Sequence, residues 1–158
     1  MLFRSRISAP KLPRAIPEAR KLAGKRILVV DDNEDAANSL AAILELEGHS
    51  IDCVYTAQDA LEHAKANSPE VILLDVGLPD MSGYEVAARL RPNLMSTQIV
   101  ALTGYGHAED IRRATAAGFD AHVVKPVDFE TLMQILGNFD PSSRSGHGAE
   151  KRRPQNFN

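Results

Sequence analysis

Five short apolar runs, set apart by stretches of helical spacing, constrain this chain more than any other feature. Arg26-Ile27-Leu28-Val29-Val30, Val71-Ile72-Leu73-Leu74, Ile99-Val100-Ala101-Leu102 and Ala121 to Val124 are almost wholly apolar. Ile51, Cys53 and Tyr55 alternate with Asp52 and Val54. Continuous runs of this length read as strands buried on both faces, and the alternating run as a half-exposed strand. Between them, 33–47 places Ala36, Leu40, Ile43 and Leu44 on one helical face and ends at Gly48. Ala57, Ala60, Leu61 and Ala64 mark a second helix, and Val86, Ala87 and Leu90 a third, stopped near Pro92. Ile111, Ala114 and Ala117 mark a fourth, stopped by Gly118. Asp128 can cap a fifth, carrying Phe129, Leu132, Met133 and Leu136. Strict strand–helix alternation predicts an α/β fold of parallel strands joined by right-handed helical crossovers. The sheet is expected to be open and doubly wound, since a closed barrel of this kind needs about 250 residues.

In such sheets ligands bind beyond the carboxyl ends of the strands. The first strand ends in Asp31-Asp32, the third in Asp75, the fourth in Thr103 and the fifth in Lys125. Each has an ordinary reading: helix N-terminal charges for Asp31 and Asp32, a turn residue before Pro79 for Asp75, loop residues for Thr103 and Lys125. Three carboxylates, a hydroxyl and a lysine on one edge together point to chemistry. Clustered carboxylates repel unless a cation neutralises them, and Mg²⁺ is normally held by one or two carboxylates plus phosphate. A lysine suits a phosphate oxygen, and a carboxylate can accept a phosphoryl group as an acyl phosphate.

Charge is uneven along the chain. Residues 1–26 carry eight Lys/Arg and one acid, 27–137 six Lys/Arg and 18 acids, and 138–158 four Lys/Arg and two acids. The acidic middle argues against nucleic acid as a partner for the folded part. Residues 1–24 hold Pro10, Pro13 and Pro17 without a hydrophobic period, and are expected to be a flexible basic extension. Residues 138–158 are expected to be a disordered polar tail, leaving 25–137 as the domain. The lone Cys53 cannot form an internal disulfide and reads as a small apolar residue in a reducing, cytoplasmic setting. No apolar run reaches the roughly 18 residues of a membrane span. The proline-interrupted N-terminus suits neither a secretory signal nor an amphipathic transit peptide.

Val30-Asp31-Asp32, Leu73-Leu74-Asp75 with Leu78-Pro79 and Ser82-Gly83, Ala101-Leu102-Thr103-Gly104 and Val124-Lys125-Pro126 together resemble the response-regulator receiver family over about residues 25–137. The resemblance implies a flavodoxin-like (βα)5 fold with strand order 2-1-3-4-5. It implies Asp75 as phosphoacceptor, with Mg²⁺ as cofactor bound directly by Asp32 and Asp75, through water by Asp31, and by the backbone carbonyl of Gly77. It implies Lys125 as the phosphate contact, Thr103 as a switch hydroxyl and His122 in the switch aromatic position, which more often holds Tyr or Phe. The implied function is a phosphorelay signalling receiver, not an enzyme acting on other substrates. The implied partners are a histidine kinase or histidine phosphotransfer protein and an unknown downstream protein, with no DNA-binding domain and with homodimerisation open. The wording around Asp31, Thr103 and Gly118 resembles receivers attached to hybrid sensor kinases. A fragment of a hybrid kinase and a phosphate sink or shuttle without output domain are therefore the alternatives. A phosphohydrolase is disfavoured because Asp75-Val76-Gly77 lacks a second carboxylate.

Overall fold

A computed structural model describes residues 24–142. The expectations for the N-terminal extension up to residue 23, and for the tail from 143 onward, lie outside the described residues. Strands β1 (Arg26–Val30), β2 (Ser50–Val54), β3 (Val71–Asp75), β4 (Gln98–Thr103) and β5 (Ala121–Val124) form one parallel sheet in the order β2-β1-β3-β4-β5. Helices α1 (Glu34–Leu46), α2 (Ala57–Asn67), α3 (Gly83–Leu90), α4 (Ala108–Ala117) and α5 (Phe129–Gly137) link and cover the strands. A short 3-10 turn, Arg91–Asn93, follows α3 and carries Pro92, where a proline ends the helix as expected. The fold is flavodoxin-like.

The strand period of two explains the continuous apolar runs. Leu28, Val30, Ile72, Leu74, Ile99 and Ala101 face one side, packed under α2, α3 and α4. Ile27, Val29, Val71, Leu73, Val100 and Leu102 face the other, under α1 and α5. Each apolar residue of a central strand is thus needed by one core or the other. The edge strands differ. β2 is half-exposed, as its alternation indicated, and β5 is also an edge, with Val123 its one buried residue. The expectation that β5 lies buried on both faces is therefore corrected: among the described residues it is the last strand of the sheet, and three of its four residues stay partly or fully exposed. Cys53, on β2, is half-buried.

Four of the five helices begin where a side-chain oxygen takes a free backbone N–H group, α4 being the exception. Asn33, Thr56, Ser82 and Asp128 accept from Ala36, Asp59, Tyr84 and Thr131 respectively. Gly48 and Gly118 end helices at φ of 96° and 104°, a left-handed geometry that glycine adopts without strain. The expected face of α1 needs a second correction. Its buried seam is Ala37, Ala41 and Leu44, with Leu40 half-buried, while Ala36 and Ile43 point outward.

Candidate functional site

Parallel pairing brings the ends of β1, β3, β4 and β5 to one edge, and ladder bonds continue past the strands. Asp31 N–H donates to the Val54 carbonyl (3.3 Å), Val76 N–H to Leu102 (3.1 Å) and Lys125 N–H to Thr103 (2.7 Å). These bonds fix the backbone on which the polar side chains stand. Asp31, Asp32 and Asp75 converge there, each offering a carboxylate oxygen within 4.8 Å of the others. Asp31 and Asp75 are buried, and Asp32 is open to solvent.

Lys125 ties the cluster together. Its Nζ lies 2.8 Å from Asp31 Oδ2 and 3.2 Å from Asp75 Oδ2. The other oxygen of Asp75 accepts the Gly77 N–H at 2.9 Å, and the other oxygen of Asp31 accepts the Asn33 N–H at 3.0 Å. Asp32 has no hydrogen-bond donor among the described residues. Burial pushes the Asp75 carboxyl above its ordinary pKa; the Gly77 N–H and Lys125 oppose this, and neighbouring Asp31 adds to it. Burial works against the Lys125 charge, but its bonds to Asp31 and Asp75 outweigh it and hold the ammonium above the usual lysine range. Three carboxylates share one lysine, so the pocket carries uncompensated negative charge. An all-oxygen donor set, tightly grouped and with one carboxylate open to water, suits a hard divalent cation such as Mg²⁺.

Thr103 lies at the same edge but turns elsewhere. Its hydroxyl donates to the Tyr105 carbonyl (2.8 Å) and accepts the Tyr105 N–H (3.1 Å), closing the first turn of the loop after β4. Thr103 and half-buried His122 line one small cleft with Val76, Tyr84, Ala101 and Ile111. Its volume of about 10 Å³ is barely enough for one water. The structure therefore gathers Asp31, Asp32, Asp75, Lys125 and the Gly77 backbone, and sets Thr103 and His122 together beside them.

Two supporting residues escaped sequence reasoning. A Cβ on Gly83 would collide with the Asp75 carbonyl oxygen and Val76 Cα, so α3 can start against the end of β3 only with glycine there. Asp80 accepts the N–H groups of Ala57 (3.1 Å) and Gln58 (3.2 Å), pinning the loop after Asp75 to the start of α2. The signal for the first was its place in Ser82-Gly83; a turn carboxylate such as Asp80 gives none.

A doubly wound sheet with a lysine-bridged carboxylate cluster at its carboxyl edge defines a phosphoryl-accepting receiver. Residues 27–137 match the response regulator receiver domain, and the chain belongs to that family. It is 34% identical over 120 residues to an uncharacterized 14.6 kDa protein of Leptolyngbya boryana, covering 75% of this chain and 92% of that one. It is 34% identical over 116 residues to the transcriptional regulatory protein TcrA of Mycobacterium tuberculosis, covering 73% of this chain and 46% of TcrA. The chain thus spans about half the length of that regulator. Among solved structures, it is similar to a response regulator of Burkholderia pseudomallei determined with a phosphorylated aspartic acid, a calcium ion and citrate. That match has a TM-score of 0.69 at 30% identity, covering 82% of this chain and 75% of the other. The protein is a signalling receiver with an acidic pocket of Asp31, Asp32 and Asp75, and a receiver implies a histidine kinase as partner. No helix among the described residues is long and apolar enough to cross a membrane.

Proposed function

We propose that this chain takes a phosphoryl group from a phosphohistidine onto Asp75 and uses the change to alter a partner-binding surface. The observation that carries the reading is Lys125 Nζ lying within 3.2 Å of the carboxylates of both Asp31 and Asp75, from the far end of the sequence. An oxygen of Asp75 attacks the phosphorus, the P–N bond breaks, and its electron pair goes to the imidazole nitrogen, which takes up a proton. The product is an acyl phosphate on Asp75. Lys125 is already held at the rim by Asp31 and can contact a phosphoryl oxygen without a large movement. Asp32, Asp75 and the Gly77 carbonyl would hold Mg²⁺, with Asp31 acting through water; bound there, the ion supplies charge neutralisation for the phosphoryl oxygens. The Burkholderia relative, solved with a phosphorylated aspartic acid and a calcium ion, supports the same chemistry here.

Incubation with acetyl phosphate and Mg²⁺ should add one phosphoryl mass, and Asp75→Asn should abolish it. Persistence of the added mass in that variant overturns the assignment. Asp32→Ala should weaken Mg²⁺ binding more than Asp31→Ala, read by titration of amide resonances; equal binding by Asp32→Ala and wild type would remove Asp32 from the ligand set.

Thr103 and His122 are the proposed switch. Once Asp75 is phosphorylated, the Thr103 hydroxyl gains a stronger acceptor than the Tyr105 carbonyl. Its rotation toward that acceptor would free the cleft for the His122 ring. The readout would be the surface of α4, β5 and α5. Thr103→Ala and His122→Ala should each accept phosphate while shrinking phosphorylation-induced resonance shifts over residues 107–137. Full-sized shifts in both would send the signal by another route. The chain is proposed to act in the cytoplasm, a reading supported by the single Cys53 and by the histidine kinase partner. Both stand-alone and multidomain settings fit, the first supported by the Leptolyngbya match and the second by TcrA.

A further inference from the structure

Helix α1 carries two apolar seams, and the fold buries one. Ala37, Ala41 and Leu44 meet the sheet, whereas Ile43 is 43% and Leu46 87% exposed, with Ala36 also outward. Leaving a leucine in water forgoes the gain of burying its apolar surface. The same helix has Glu34 and Asp35 at its start, and Glu45 and Glu47 at its end. At helical spacing Asp35 and Glu47 flank the strip of Ile43 and Leu46, and no lysine or arginine occurs between Ile27 and Ala64. The strip therefore matches a partner that is basic and apolar together.

The chain itself contains such a segment. Residues 1–23 hold six Lys/Arg and one acid, interleaved with Leu2, Phe3, Ile7, Leu12, Ile16 and Leu22. The segment joins the fold beside the end of α1. Lys25 N–H donates to His49 Nδ1 at 3.1 Å, and a Cβ on Gly24 would collide with the Gly48 carbonyl oxygen. Helix α1 has 13 residues and is about 20 Å long. An extended chain covers that length in about six residues. Pro10, Pro13 and Pro17 favour extended over helical backbone, so the segment is long enough and suitably biased.

We propose that residues 1–23 bind back onto the outer face of α1 in the same molecule. Their apolar side chains cover Ile43 and Leu46, and Arg20 and Lys21 lie toward Glu47. Attachment at Gly24 makes the association intramolecular, so weak intrinsic affinity suffices. The inference is independent of whether Asp75 accepts phosphate.

The test uses the full chain with a nitroxide on Ala15→Cys in a Cys53→Ala background, and amide resonances as readout. Expected is selective broadening of residues 39–47 relative to 83–117, reduced severalfold by about 0.5 M salt. Ile43→Glu with Leu46→Glu, both at exposed positions, should abolish it while leaving the rest of the spectrum folded. Broadening of equal strength when labelled nitroxide-free chains are mixed with unlabelled nitroxide-bearing ones would assign the face to a second copy and overturn the proposal. Broadening that is absent, centred elsewhere or unchanged by the double variant would also overturn it, as would deletion of residues 1–23 without movement of any α1 resonance.

Discussion

His49 sits 6% exposed at the start of β2, and its Nδ1 accepts the backbone N–H of Lys25, which requires that nitrogen to be unprotonated. Burial pushes its pKa below the ordinary histidine value; Lys25 pushes the same way, against Glu47 and Glu70. An unfolded histidine titrates at about 6.5. Between that value and the lower folded one, the unfolded chain binds the extra proton. Stability is therefore full above about pH 6.5 and falls as pH drops through this window. Urea unfolding at about pH 7.5 and 5.5 should show a loss in wild type that is smaller in His49→Gln. An equal loss in both would assign the pH dependence to other groups. Residue roles were unevenly legible. Asp31, Asp75 and Lys125 stood out because each follows an apolar strand. The bonding of Thr103 to Tyr105 did not, because a hydroxyl at a strand end says nothing of which way it turns.

Among the elements, the strands were legible because burial on both faces leaves a run with no polar break. Helix α1 was legible as a helix, but not in its orientation. Eight of its 13 residues are Ala, Leu or Ile, so a 3.6-residue period fits two neighbouring seams. The sheet selects Ala37-Ala41-Leu44, whose small alanines allow close approach to β1 and β2. Replacing Leu44 with Ala should cost about 2–5 kcal/mol, whereas Ile43→Ser should stay within about 1 kcal/mol. Comparable losses in chemical denaturation would contradict the observed seam. Asp80 escaped for a related reason: its partners, Ala57 and Gln58, belong to an element 22 or 23 residues earlier, and no local pattern announces that pairing.

For the molecule as a whole, residues 25–137 are proposed as the folding unit, with 1–24 and 138–158 outside it. Among the described residues, both hydrophobic clusters draw their members from between Ile27 and Leu136, which supports that unit. A 24–139 fragment should unfold in one transition within about 1 kcal/mol of the full chain and accept one phosphoryl group. A large loss of stability would place one of the ends in the core. The contact between Lys125 and Asp31 spans 94 positions of sequence and closes only when β1, β3, β4 and β5 lie side by side. The pocket is thus built from parts that no isolated half of the protein possesses. Labelling by acetyl phosphate then doubles as a census: in any library of variants that keep the pocket residues, the fraction that takes up label counts the molecules whose sheet is complete.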